Sequence, residues 1–173
     1  LTEARCRLVG VTRAPVRKET SPNVRAGWAV LVAGDGVPRP GAQHRRGRAE
    51  VAAGTETIAF DASWASEPSG LPGPAELLAS AFAACLLKSL ERSGQLLPFR
   101  YDHAEVDVAA RRQDAPPKFV EITWEMRLVT DEPQHHVDLL DRNLRRFGTV
   151  YNTLAAACAI EGRILTTPTS AKA

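Results

Sequence analysis

Cys85 is the side chain best placed to do chemistry, because it ends an apolar helical stretch, Pro74-Ala-Glu-Leu-Leu-Ala-Ser-Ala-Phe-Ala-Ala-Cys-Leu-Leu87. A cysteine thiolate is a nucleophile and a metal ligand, whereas a neutral thiol in apolar surroundings only fills space. Residue type alone leaves both readings open. A second chemical feature is the basic run His44-Arg-Arg-Gly-Arg48, which sets Arg45, Arg46 and Arg48 within four positions. It is either a nucleic-acid contact or a solvated basic loop. His135 and His136 are adjacent and so point to different sides of a helix, with no ligand-type residue four positions on. A solvated helix end fits them better than a metal site. Cys6, Cys85 and Cys158 lie far apart without Cys-x-x-Cys spacing, which argues against both structural zinc and a disulfide scaffold.

The elements that must position these groups follow from periodicity. Between Leu77 and Leu87 only Ser80 and Cys85 carry polar side-chain atoms, which predicts a helix buried on most of its circumference. Pro74 suits its first turn and Gly94 is a natural stop. Upstream, Val24 to Val32 reads as one buried strand, followed by a turn-rich stretch, Gly34 to Gly41. Arg48 to Asp61 reads as a hairpin turning near Ala53-Gly54, with Ile58 and Phe60 on its buried face. Ser66 to Gly73 is a loop by composition.

Downstream, Ala104, Val106, Val108 and Ala110 alternate with polar positions, and so do Val120, Ile122, Trp124, Met126 and Leu128. Each set describes a strand with one dry face, joined as a hairpin through residues 111–118. Val137, Leu140, Leu144 and Phe147 form an apolar helical stripe closed by Gly148. A short helix over Thr149–Ala157 and a strand over Cys158–Leu165 complete the series. The fold class is therefore α+β, a mostly antiparallel sheet with a long buried central helix and further helices on one face. Trp28, Trp64 and Trp124 are expected in the core or at a dimer interface. Leu1 to about Lys18 and Thr167–Ala173 are expected to be loosely held.

Composition narrows the function classes. With 22 basic and 20 acidic residues the net charge is +2, too small to imply nucleic acid or a membrane surface as partner. The arginine run has no interleaved aromatics, which also argues against nucleic acid. No apolar run reaches the ~18 residues that span a bilayer. Leu1–Cys6 lack a signal-peptide apolar region, so a reducing, cytoplasmic setting is expected.

Gly73-Pro-Ala-Glu-Leu-Leu-Ala-Ser-Ala-Phe-Ala-Ala-Cys85 resembles the cysteine-bearing helix motif of the OsmC/Ohr proteins, and Val150-Tyr-Asn-Thr-Leu154 is similar to their second motif. The resemblance covers residues 43–165. It leaves 1–42 as an N-terminal segment with at least one strand and 166–173 as a tail, within a single domain. It implies an intertwined homodimer in which Cys85 is the peroxidatic thiol, attacking an organic or inorganic hydroperoxide. An arginine would activate the thiol, Arg45 first and Arg46 or Arg48 as alternates, and Glu76 would pair with it. No cofactor is implied beyond an external thiol or dithiol reductant. The Ohr-type glutamate falls on Ala75, one position before Glu76, which also serves as an ordinary first-turn helix charge. The second cysteine falls on Gly148 and is missing, so an internal disulfide would need Cys158 or Cys6. The alternative is a non-catalytic protein that binds a small apolar ligand or a thiol-bearing partner at the dimer interface.

Overall fold

A computed structural model describes residues 2–9 as backbone, and residues 47–63 and 69–169 in full. The expected strand at 24–32, the turn-rich stretch 34–41, Arg45, Arg46, Trp28, Trp64 and the end of the tail (170–173) lie outside the described residues. Two compact units are present: Val16–Pro74, and Leu1–Pro15 together with Ala75–Ala173.

In the larger unit the strands β1 (Thr2–Val9), β4 (His103–Asp114), β5 (Pro117–Val129) and β6 (Ala159–Thr167) form one sheet in the order β1-β4-β5-β6. The first two pairings are antiparallel and β5–β6 is parallel. A parallel neighbour cannot be reached by a tight turn. Helices α2 (Gln134–Phe147) and α3 (Thr149–Ala155) fill the connection. The alternation read from the sequence holds: Ala104, Val106, Val108 and Ala110 are buried opposite Leu128, Met126, Trp124 and Ile122. Small faces large in the first and last of these pairs, which lets the inner layer interdigitate with the helix above it. The helix α1 (Pro74–Leu96) supplies Ala79, Phe82, Ala83, Leu86 and Leu90 to the same core, and α2 adds Val137, Leu140 and Leu144.

The other sheet face is wet and charged. Arg127 on β5 bonds Asp107 across the ladder and Glu125 at 2.9 Å, and Arg163 on β6 reaches Glu125 at 2.7 Å. Half-exposed pairs of this kind add little stability individually and chiefly fix which face is out.

Several expectations for the larger unit are corrected, and α1 runs on to Leu96 instead of stopping at Gly94. Within the start expected to be loosely held, Thr2–Val9 pairs with β4 along its whole length, while residues 10–18 lie outside the described residues. The last strand runs on to Thr167, and the Thr169 N–H donates to Asp131 at 2.9 Å. The central helix is not buried around most of its circumference: Ala81, Ala84 and Lys88 are exposed, and burial follows one stripe.

In the smaller unit β2 (Arg48–Ala53) and β3 (Glu56–Asp61) form the expected hairpin, turning through Gly54 and Thr55. Ile58 is 38% exposed rather than buried, since a two-stranded ribbon has no second layer of its own to cover it. At its end the Asp61 carboxylate accepts the Ser63 N–H at 2.8 Å, and hydrogen bonds from Ser63 and Ser69 hold its pKa down to about 2.

Candidate active site at the centre of α1

Helix α1 carries Cys85 at the border between its buried and open stripes, with Leu86 fully buried on one side and Ala84 exposed on the other. The thiol itself is half-buried. Partial exposure leaves the thiol open to a small reactant, whereas a fully buried thiol would be inert.

The α2–α3 junction lies beside it. A Cβ placed on Gly148 would stand 3.5 Å from Cys85 Sγ. The fold therefore brings together the two positions where the resemblance places a cysteine pair, 63 residues apart in the chain. Gly148 has φ −71° and ψ 113°, which any residue adopts, so backbone conformation does not demand glycine there. Packing does. The added Cβ would meet Tyr151 Cβ at 2.9 Å and Leu144 O at 3.0 Å. Tyr151 in turn stacks on Phe82, one turn before Cys85, with ring centroids 5.6 Å apart. The Asn152 amide donates to Arg146 O at 3.0 Å. Tyr151 thus packs the junction against α1, and Asn152 ties α3 to the end of α2.

A polar chain supports this corner. Arg145 donates to Asp141 at 2.9 Å, to Tyr151 Oη at 3.2 Å and to Gly162 O at 2.7 Å. Its guanidinium also lies 5.4 Å from the ring centre of Trp124. The bond to Asp141, with help from the Tyr151 phenol, raises the Arg145 pKa above its usual value. Gly162 is required where it stands, since a Cβ there would sit 2.3 Å from the Trp124 indole. The i,i+4 spacing of Asp141 and Arg145 is readable in the sequence. The reach of Arg145 to Tyr151 and across to β6 is not.

The remaining predicted residues are placed as follows. Glu76 is in the first turn of α1, where its carbonyl accepts the Ser80 hydroxyl at 2.8 Å. Nine helical residues separate it from Cys85, about 13 Å of rise and half a revolution, so the two side chains leave opposite sides of the helix. Glu76 and the thiol are not brought together. Arg48 opens β2, with an exposed ion pair to Glu50 at 3.5 Å. Cys158 is half-buried with its Sγ 3.4 Å from Leu154 O, and burial pushes its thiol pKa up, the wrong direction for an attacking thiolate. Cys6 stands opposite Val108 in the β1–β4 ladder. The His136 imidazole meets Glu132 at 2.6 Å, and among the described residues no group of His, Cys, Asp and Glu could hold a metal.

No family profile and no curated protein matches the chain by sequence at a significant level. Solved structures match its fold. An OsmC-like protein from Mycoplasma pneumoniae superposes with a TM-score of 0.63 at 16% identity, over 69% of this chain and 89% of that one. The organic hydroperoxide resistance protein OsmC of Legionella pneumophila matches at TM-score 0.59 and 13% identity, over 81% and 98%. OhrB, the organic hydroperoxide resistance protein of Bacillus subtilis, matches at 0.56 and 14%, over 80% and 98%. With its mostly antiparallel sheet, central cysteine-bearing helix and crossover helices, this chain has the fold of the OsmC and Ohr proteins.

Proposed function

We propose that the protein reduces hydroperoxides with Cys85 as the attacking thiol. The observation that carries this reading is the juxtaposition of a half-buried thiol on α1 with the α2–α3 junction at Gly148. The Cys85 thiolate attacks the distal oxygen of the hydroperoxide. An S–O bond forms, the O–O bond breaks, and the alkoxide leaves as alcohol once protonated. Sulfur is then a sulfenic acid. Gly148 offers no thiol to condense with it, so an external thiol attacks the sulfur, releases water and forms a mixed disulfide, which a second thiol reduces. Arg45, with Arg46 and Arg48 as alternates, supplies the guanidinium that favours the thiolate.

The working unit in this reading is a cytoplasmic homodimer. The exposed Ala81 and Ala84 on the open side of α1 offer a narrow apolar strip on which a second copy can close. Stopped-flow reaction of the reduced protein with cumene hydroperoxide, with dimedone trapping of the sulfenic acid, tests the chemistry. The expected result is fast labelling at Cys85 alone, lost in Cys85→Ser and weakened in Arg45→Ala. Labelling of Cys85 no faster than a free thiol would overturn the enzyme and leave a ligand-binding protein on the same fold.

A further inference from the structure

A cavity of about 150 Å³ lies where the C-terminal ends of α1 and α2 meet, lined by Arg92, Ser93, Leu96, Leu97 and Phe147 among others. Two of its apolar groups are unusually open for their size, Leu96 at 69% and Phe147 at 46%. Its near end, Ser89, lies one helical turn beyond Cys85 and its far end, Leu96, about 16 Å along the helix, so the cavity adjoins the thiol without including it.

Charge gives the cavity its specificity. The Arg92 guanidinium stands 4.9 Å from the Phe147 ring centre and that of Arg146 stands 5.2 Å from it. Two like charges gathered on one ring repel each other, and neither has an acidic partner among the described residues. Lys88 sits one turn before Arg92 and Arg142 one turn before Arg146, on the same helical faces, which makes the rim basic on both sides. An apolar floor under a basic rim lacks one thing, an anion with a hydrocarbon tail. Cavities of about 150 Å³ accept an apolar group of about six carbons.

The geometry points to a binding site for a medium-chain aliphatic carboxylate, with its chain on Leu96, Leu97 and Phe147 and its carboxylate on Arg92, which lines the cavity, while Arg146 adds positive charge at the Phe147 ring. This site is independent of whether Cys85 turns over peroxide.

The test is a titration of the ¹⁵N-labelled full chain with octanoate and, in parallel, with octanol, followed by amide shifts. Saturable shifts confined to residues 92–97 and 143–147 are expected. Octanoate should bind about tenfold or more tighter than octanol, the value of a charge-assisted contact. Arg92→Gln combined with Arg146→Gln should bring octanoate down to the octanol level and leave octanol unchanged. Both arginines are exposed, so the variant keeps its fold. Equal affinity for the two ligands, or shifts scattered over the chain, would overturn the site. So would shifts at these residues that follow protein concentration without ligand and vanish in Phe147→Asp, since a second copy would then occupy the groove.

Discussion

On one side of α1, Phe82, Leu86 and Leu90 are fully buried against the β4–β5 layer, whereas on the other Ala81 and Ala84 lie open. Up to Cys85 both sides are apolar, and only beyond it does the open side turn basic with Lys88 and Arg92, so hydrophobicity does not separate the two beside the thiol. Size does. The buried stripe uses side chains that fill the space above a pleated sheet, and the open stripe uses alanines that leave a shallow, flat surface. Such a surface suits close approach of another helix. Cys85 sits on the seam between the two, which leaves the thiol covered by one layer and open to whatever meets the other.

The largest effect expected from this contrast is on the buried side. Phe82→Ala removes a wholly enclosed ring and the stack on Tyr151, and should destabilise the fold by about 3–5 kcal/mol in urea denaturation. A loss under about 1 kcal/mol would show that the core relaxes around this position and that the two faces differ less than their burial indicates. On the seam, Gly148→Ala should cost about 1–3 kcal/mol, because its Cβ is driven into Tyr151 and Leu144 O. The more telling variant is Gly148→Cys. Its Cβ starts 3.5 Å from Cys85 Sγ, so mild oxidation should close a disulfide, seen as the loss of two hydrogens in intact mass and of both free thiols in labelling. Failure of that crosslink in folded protein would mean that the α2–α3 junction does not lie against Cys85.

Much of this contrast was legible in the sequence, and the unread part has a physical cause. The β4 and β5 alternation, the α2 stripe and the order of elements depend on local periods, and all were readable. The chain start was misread because Thr2–Val9 owes its order to pairing with β4, about a hundred residues away, and not to its own pattern. Helix α1 reads as buried on most of its circumference because an apolar residue announces burial without announcing its partner. Cys85 and Gly148 could be singled out as a pair only through the family resemblance. Their proximity depends on how α2 packs, which no local signal encodes. The paired guanidiniums over Phe147 were not seen at all, since Arg92 and Arg146 meet only in three dimensions.

A smaller, pH-dependent effect marks the far end of the same layer. Glu132 accepts His136 Nδ1 at 2.6 Å and the Arg100 N–H at 2.8 Å, tying α2 to the segment that follows α1. The His136 bond first, and the Arg100 amide after it, hold the Glu132 carboxyl below its ordinary value. A carboxyl depressed in the folded state contributes its stability above the unfolded pKa of about 4.3 and loses it as pH falls through the lower folded value. Glu132→Gln should therefore cost about 1–2 kcal/mol at pH 7, with parent and variant converging below about pH 4. A difference that persists unchanged at pH 3 would assign the loss to packing and not to charge.

The smallest effect on the fold should come from the open face, and it sharpens the comparison most. Ala84→Glu replaces one good helix former with another at an exposed position, so thermal stability at low protein concentration should shift by less than about 0.5 kcal/mol. The same change places a carboxylate in the middle of the alanine strip. If a second copy closes there, burying two such charges near each other is strongly unfavourable, and the variant should sediment as a monomer where the parent sediments as a dimer. Ala155→Glu, an exposed alanine at the end of α3, serves as the control and should leave the parent's association unchanged. A parent that remains monomeric at every concentration, or an Ala84→Glu protein that still dimerises, would remove the second copy from this face. The open stripe would then be only the solvent side of a helix whose chemistry is complete in one chain.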